Sequence, residues 1–317
     1  MSKHGRLRSR RRSSRTVSAL KSALPTYVAF TLCCLIWGST FLAIRIGNEA
    51  VAPVWGAALR LALAMPALAL LAWATRARWP RGRALQGAIL FGFFNYGVNL
   101  GLLYWGEQSV PSGIAAVFYA TVPLSTALLA PLFGVEPLSP RKLAAAAVAF
   151  AGVGVIFAGE MSLAVPFAGL LAIFGAATAA ALSTVMLKRA PRQDTLPANA
   201  VAAAVGLPVC LAFSVLIGET RTIPETSAGW FPILYLVVAG SLGAYLLYTW
   251  LIKTWSVTNA SYIGVVVPIV AVILGAIVKQ ERPAPLTFLG AAIVIAAVVY
   301  ALRPSPPAAV PSPVPAR

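Results

Sequence analysis

Apolar runs about as long as a bilayer is thick recur from Pro25 to Arg303, and this recurrence constrains the fold more than any single motif. A spanning helix needs about 20 predominantly apolar residues to cross a hydrocarbon core ~30 Å thick, because lipid offers the backbone no hydrogen-bond partners. Such runs lie near residues 27–46, 54–74, 84–104, 112–134, 141–158, 166–187, 197–217, 231–252, 257–279 and 285–302. The sequence therefore predicts an all-α integral membrane protein of ten transmembrane helices joined by short loops. No length remains for a separate soluble domain. Composition agrees: 59% of residues are hydrophobic and 10% charged, where a soluble domain carries roughly 25% charged residues.

The formal charge of +17 is explained by where the basic residues sit. Eight of the 25 Lys and Arg precede Tyr27, in a segment without acids or aromatics that reads as a disordered cytoplasmic tail over residues 1–26. With that end inside, 20 basic residues fall on the cytoplasmic side and three, Arg221, Lys279 and Arg282, outside. Arg45 and Arg60 lie within spans. The positive-inside rule then sets both termini in the cytoplasm of a multi-pass protein; richness in alanine and arginine with only six lysines points to the cell (inner) membrane, and no role with nucleic acid is implied. The last stretch, 303–317, holds six prolines in fifteen residues and reads as a second disordered tail.

Two halves repeat. Pro123 precedes Glu136 by thirteen residues, and Pro268 precedes Glu281 by thirteen; Pro66 and Pro208 sit centrally in the second and seventh spans. The offset is five helices, and because five is odd the second half enters the membrane upside down relative to the first. This gives two inverted five-helix repeats, 27–158 and 159–302.

The residues that carry a family resemblance now stand together. Trp37-Gly38-Ser39-Thr40-Phe41, Arg45, Pro53, Arg60, the stretch SGIAAVFYATVPL at 112–124 and Glu136 resemble the EamA-type branch of the drug/metabolite transporter superfamily. That resemblance implies two five-helix EamA-like repeats around a central cavity that moves small metabolites or drugs, often outward. The second half has no clear Trp-Gly-Ser motif and no counterpart of Arg60.

Chemistry is limited by inventory. His4 and Asp194 are the single histidine and the single aspartate, so Ser/His/Asp catalysis and aspartate-rich metal binding have no set of parts. No catalytic residue, metal or cofactor is expected. Cys33, Cys34 and Cys210 lie in apolar runs with neither CxxC spacing nor a disulfide framework. All seven glutamates map to loops or span ends, which argues against a buried proton-coupling carboxylate; Glu107 is the nearest to one.

A substrate cavity is expected where the repeats meet at mid-membrane. Asn95 and Asn99 are four apart on one helix face and offer both donors and acceptors, though interhelical bonding is the competing use of Asn in a bilayer. Trp37, Tyr119, Tyr248 and Tyr262 are the aromatic candidates, with packing as the alternative. Arg60 lies about 10 Å below the outer end of its span, where it would either contact an anion or pin helix packing. Pro123 and Pro268 interrupt the backbone ladder and are candidate helix hinges. The expected partners are a small-molecule substrate and membrane lipid; oligomeric state is not legible. The reading is an alternating-access transporter, not an enzyme, that exports amino-acid-like or amphipathic metabolites. A flippase for a lipid- or polyprenol-linked substrate and a proton-coupled drug exporter are the alternatives.

Overall fold

The computed structural model describes residues 3–110, 115, 119–157, 166–279 and 285–303, with side chains from residue 24 onward except at 45, 156–157, 271–272, 275–276, 278–279, 285 and 287. Among these residues every regular element is helical. They form α1 (Lys3–Gly47), α2 (Pro53–Ala74), α3 (Arg83–Gly106), α4 (Val122–Leu132) and α5 (Pro140–Phe157). The second half contains α6 (Phe167–Arg189), α7 (Thr195–Leu216), α8 (Ser227–Thr254), α9 in two segments (Val257–Ser261 and Ile263–Lys279) and α10 (Pro285–Leu302). Among the described residues six stretches are long and apolar enough to cross a membrane: Leu24–Ile44, Pro53–Ala74, Arg83–Gly106, Phe167–Arg189, Thr195–Leu216 and Ser227–Thr254. Val122–Leu132, Val257–Val270 and Phe288–Leu302 are shorter apolar helices.

Apolar side chains cover the exterior as well as the interior, as a lipid solvent requires. On α1, Leu24, Val28, Leu32 and Leu35 are exposed, while Ala29, Cys33 and Cys34 on the opposite face are buried. The three cysteines are free and buried. With lipid outside, helix association depends on close packing, which small residues permit. The α3–α7 contact shows this: a Cβ on Gly97 would lie 2.7 Å from Val209 Cβ, and one on Gly101 2.8 Å from a ring carbon of Phe213. The spacing GxxxG thus seats α7 against α3.

Helix pairing follows the five-helix offset. α1 packs on α9 as α6 packs on α4; α3 packs on α6 and α7 as α8 packs on α1 and α2; α2 meets α7, and α5 meets α10. Each contact maps onto another, or onto itself, when five is added to the helix number. The symmetry extends to backbone winding, since α3 and α8 each contain a π-helical stretch, Gly92–Asn99 and Leu236–Ala244. Such stretches are rare and occur disproportionately at functional sites.

Three sequence expectations need correction or limits. The basic segment read as a disordered tail is helical from Lys3, continuous with the first span; its Arg, Lys, Leu and Ala are good helix formers, and no proline interrupts it before Pro25. Pro123 is not a mid-helix break: it lies in the first turn of α4, after a turn at Ala120–Thr121, where the missing N–H has no helical partner to lose. Pro268 does lie inside its helix, as do Pro66 and Pro208. Glu281, Arg282 and most of 111–118 fall outside the described residues, as does the Pro-rich tail from 304.

Candidate functional site

A cavity opens between the two halves. The first half supplies Trp37, Thr40 and Phe41 from α1, Arg60 from α2, Asn95 and Asn99 from the π-helical stretch of α3, and Tyr119 from the turn before α4. From the second half come Tyr245 and Tyr248 of α8 and Ser261, Gly264 and Val267 of α9. The empty space is ≈ 680 Å³, counting the part open to solvent, which suits a small organic molecule.

Its polar groups are bonded into a network that crosses α3, α6 and α8 and reaches the turn before α4. Asn95 Nδ2 donates to Ser183 Oγ at 2.9 Å, and Tyr245 O–H donates to Asn95 Oδ1 at 3.2 Å. Tyr119 O–H donates to Asn99 Oδ1 at 3.1 Å. The π winding moves the backbone ladder from i→i+4 to i→i+5, and Asn99 Nδ2 donates to both Asn95 O and Asn95 Oδ1 at 3.2 Å. A parallel set lies behind it: Tyr96 O–H donates to Asn199 Oδ1 at 2.7 Å, and Asn199 Nδ2 to Thr249 Oγ1 at 2.7 Å. Fully satisfied networks of this kind fix side-chain positions in a low-dielectric interior. The aromatic wall is braced too, with Trp37 edge-on to Tyr245 and Tyr248 at 5.2 and 4.9 Å, and Tyr248 sharing a hydrogen bond of 2.9 Å with Thr184.

Arg60 is 2% exposed, and it is the charged residue among the described lining residues. Its Nε donates to Ser241 Oγ at 2.9 Å and its Nη1 to Tyr104 O–H at 3.4 Å; its Cζ lies 5.8 Å from the Tyr245 ring centre. A Cβ on Gly240 would stand 2.6 Å from Arg60 Nη2, so the π-helical stretch of α8 leaves just enough room for the guanidinium.

A polar junction joins the halves one turn along α9 from the cavity. The Glu136 carboxylate accepts from Ser256 Oγ at 2.8 Å, Thr258 Oγ1 at 3.0 Å and the Val257 N–H, and pairs with Lys142 Nζ at 3.3 Å. Tyr262 O–H donates to Lys142 O at 2.6 Å. Nearby, Lys188 Nζ donates to Trp255 O at 2.6 Å and Lys253 Nζ to Ala190 O at 2.8 Å. Glu219 does a related task elsewhere, accepting from the Val54 and Trp55 N–H groups at 3.0 and 2.8 Å at the start of α2.

Of the sequence candidates, Trp37, Arg60, Asn95, Asn99, Tyr119 and Tyr248 line the cavity. Tyr262 does not: it separates the two segments of α9, is buried, and points its hydroxyl to the α5 backbone at Lys142, which brings it into the junction instead. Tyr245 was missed. It sits three residues before Tyr248, hence on the same helix face, and that spacing was the available signal. Among the described residues no cluster of three or more His, Cys, Asp or Glu could hold a metal ion.

Comparison with known proteins agrees with this architecture. The model of the EamA-like transporter family matches residues 24–158 and again 167–303. The uncharacterized inner membrane transporter YedA of Escherichia coli (strain K12) is 32% identical over 286 residues, which is 88% of this chain and 91% of that protein. The uncharacterized transporter YdfC of Bacillus subtilis is 26% identical, covering 88% and 92%. A probable terminal-alkyne amino-acid exporter of Streptantibioticus cattleyicolor is 28% identical, covering 87% and 92%. A solved crystal structure, 18% identical, shares the fold with a TM-score of 0.70 over 87% of this chain and 96% of that one.

Proposed function

This chain belongs to the EamA-like transporter family, and from that premise we propose that it exports small amino-acid-like or amphipathic metabolites across the inner membrane by alternating access through the cavity between its repeats. The observation that carries the reading is the shared wall. Trp37, Asn95 and Asn99 come from one repeat and Tyr245, Tyr248 and Ser261 from the other, so rocking one half against the other would change which side the cavity meets. The topology that goes with it has ten spans in two inverted repeats with both termini cytoplasmic, supported by the five-helix offset in helix packing and by the basic residues. The relative named as an amino-acid exporter and the mixed aromatic and amide wall favour an amphipathic substrate. The described lining residues include no carboxylate, so the substrate's own gradient, without proton coupling, is taken as the driving force.

The test is counterflow in liposomes reconstituted with the purified protein, using labelled amino acids and related amphipathic metabolites. Saturable flux is expected, with an initial rate unchanged when an imposed pH gradient is collapsed. Flux that vanishes with the gradient would replace this reading with proton coupling.

A further inference from the structure

Arg60 defines a place within the cavity where a negative charge would be held, and the site is built from buried groups. A buried ion costs several kcal/mol unless its charge is compensated and its donors are filled. The partners of this guanidinium among the described residues are neutral: the Ser241 hydroxyl, the Tyr104 phenol and the face of the Tyr245 ring. The Lys142–Glu136 ion pair belongs to the junction and not to this site. These neutral partners orient the guanidinium without cancelling its charge. Ser241 and Tyr104 each take one N–H, from Nε and Nη1, and among the described residues no further hydrogen bond is seen from Nη1 or Nη2. A carboxylate is the chemical group that best fits such donors, because an ionised acceptor shortens and strengthens the bonds and a planar one meets two donors at once.

The amide oxygens of the wall offer a cation little. Asn95 Oδ1 already accepts from Tyr245 and from Asn99, and Asn99 Oδ1 accepts from Tyr119, so the amide oxygens are largely taken by the protein's own donors. An amine without a carboxylate of its own would meet the positive Arg60 and, among the described side-chain amides, few open acceptors. The same cavity also has an apolar and aromatic surface, which includes Trp37, Phe41, Leu103 and Val267.

We propose that the cavity takes amphipathic monocarboxylates, with the carboxylate on Arg60 and the apolar body against the aromatic wall, and that it discriminates against amines of the same shape. This rests on the transport reading of the same cavity and narrows its substrate class.

Calorimetric titration of the purified protein with 3-phenylpropanoate, 3-phenylpropanamide and 3-phenylpropylamine tests it. The three probes share a ring and linker and differ in charge. The carboxylate is expected to bind at least tenfold more tightly than the amide, with the amine weakest. Arg60→Gln is expected to abolish the preference and Arg60→Lys to keep part of it. If Arg60→Gln does not fold, the comparison of probes on the unsubstituted protein still decides. Equal binding of carboxylate and amide, preference for the amine, or binding of none of the three would overturn the proposal. Binding of the carboxylate without flux in liposomes would leave the anion site standing and sink the transport reading.

Discussion

Gly92→Ala is expected to destabilise the protein, even though alanine is the better helix former. Propensity alone argues for a gain of about 1 kcal/mol when glycine in a helix interior is replaced by alanine. Against it stands the approach of α7. A Cβ at residue 92 would lie 2.6 Å from both the Cα and the carbonyl oxygen of Ala202, and backbone cannot turn aside as a side chain can. Relief requires α3 and α7 to separate along a contact that also includes Gly97 and Gly101 on one side and Val209 and Phe213 on the other. Overpacking costs about 1–3 kcal/mol, and contact with rigid backbone puts this case in the upper half of that range, so after the propensity gain the net loss should be about 1–2 kcal/mol. Thermal unfolding in detergent reads the result, and a rise in Tm would show that the close α3–α7 approach is not what positions Asn95 and Asn99.

Glu136→Ala has the second large effect, because one carboxylate serves four donors. Its removal leaves the Val257 N–H, the Ser256 and Thr258 hydroxyls and the Lys142 ammonium to find other partners. The side chains of Lys142 and Glu136 are 19% and 14% exposed, so water screens the pair only in part. Breaking a buried charge pair from one side costs about 3–5 kcal/mol; with this residual exposure, about 2–3 kcal/mol is expected. The residues involved lie 120 or so positions apart, on the α4–α5 loop and the start of α9, so their loss also loosens one repeat from the other. Faster reaction of a Ser261→Cys thiol with a membrane-impermeant reagent in the Glu136→Ala background would show that the junction holds that end of the cavity shut. Unchanged labelling with a lowered Tm would assign Glu136 to stability alone.

Much of this architecture is legible in the sequence because the bilayer imposes long, uninterrupted apolar helices. The start and end of α2, α3, α6 and α7 follow from where those runs stop. The pairing of Pro123–Glu136 with Pro268–Glu281 carried the five-helix offset, and the helix contacts obey it. What escaped the sequence depends on distant partners or on backbone winding. The paired π-helical stretches have no composition that separates them from ordinary helix. Glu136 reads as a loop residue because its partners on α9 are invisible until the chain is folded. Tyr262 has the spacing and depth of a cavity residue, yet the break between the two segments of α9 turns its hydroxyl toward Lys142. Asn95 and Asn99 line the cavity and also bond to neighbouring elements, so the bonding weighed as their competing use is present at the positions proposed to meet substrate.

The central claim is that substrate passes through the cavity between the repeats, and filling that cavity tests it most directly. Gly264 lines it, and the nearest neighbours of a Cβ there among the described residues would be Val122 at 3.5 Å and the Tyr119 carbonyl oxygen at 3.8 Å, which are ordinary contacts. Gly264→Phe should therefore occupy the cavity while leaving helix packing intact. Counterflow in liposomes should be saturable for the unsubstituted protein and fall at least tenfold for Gly264→Phe, with the two proteins melting at similar temperatures. Equal flux in both would contradict the account and send the transport path elsewhere in the fold.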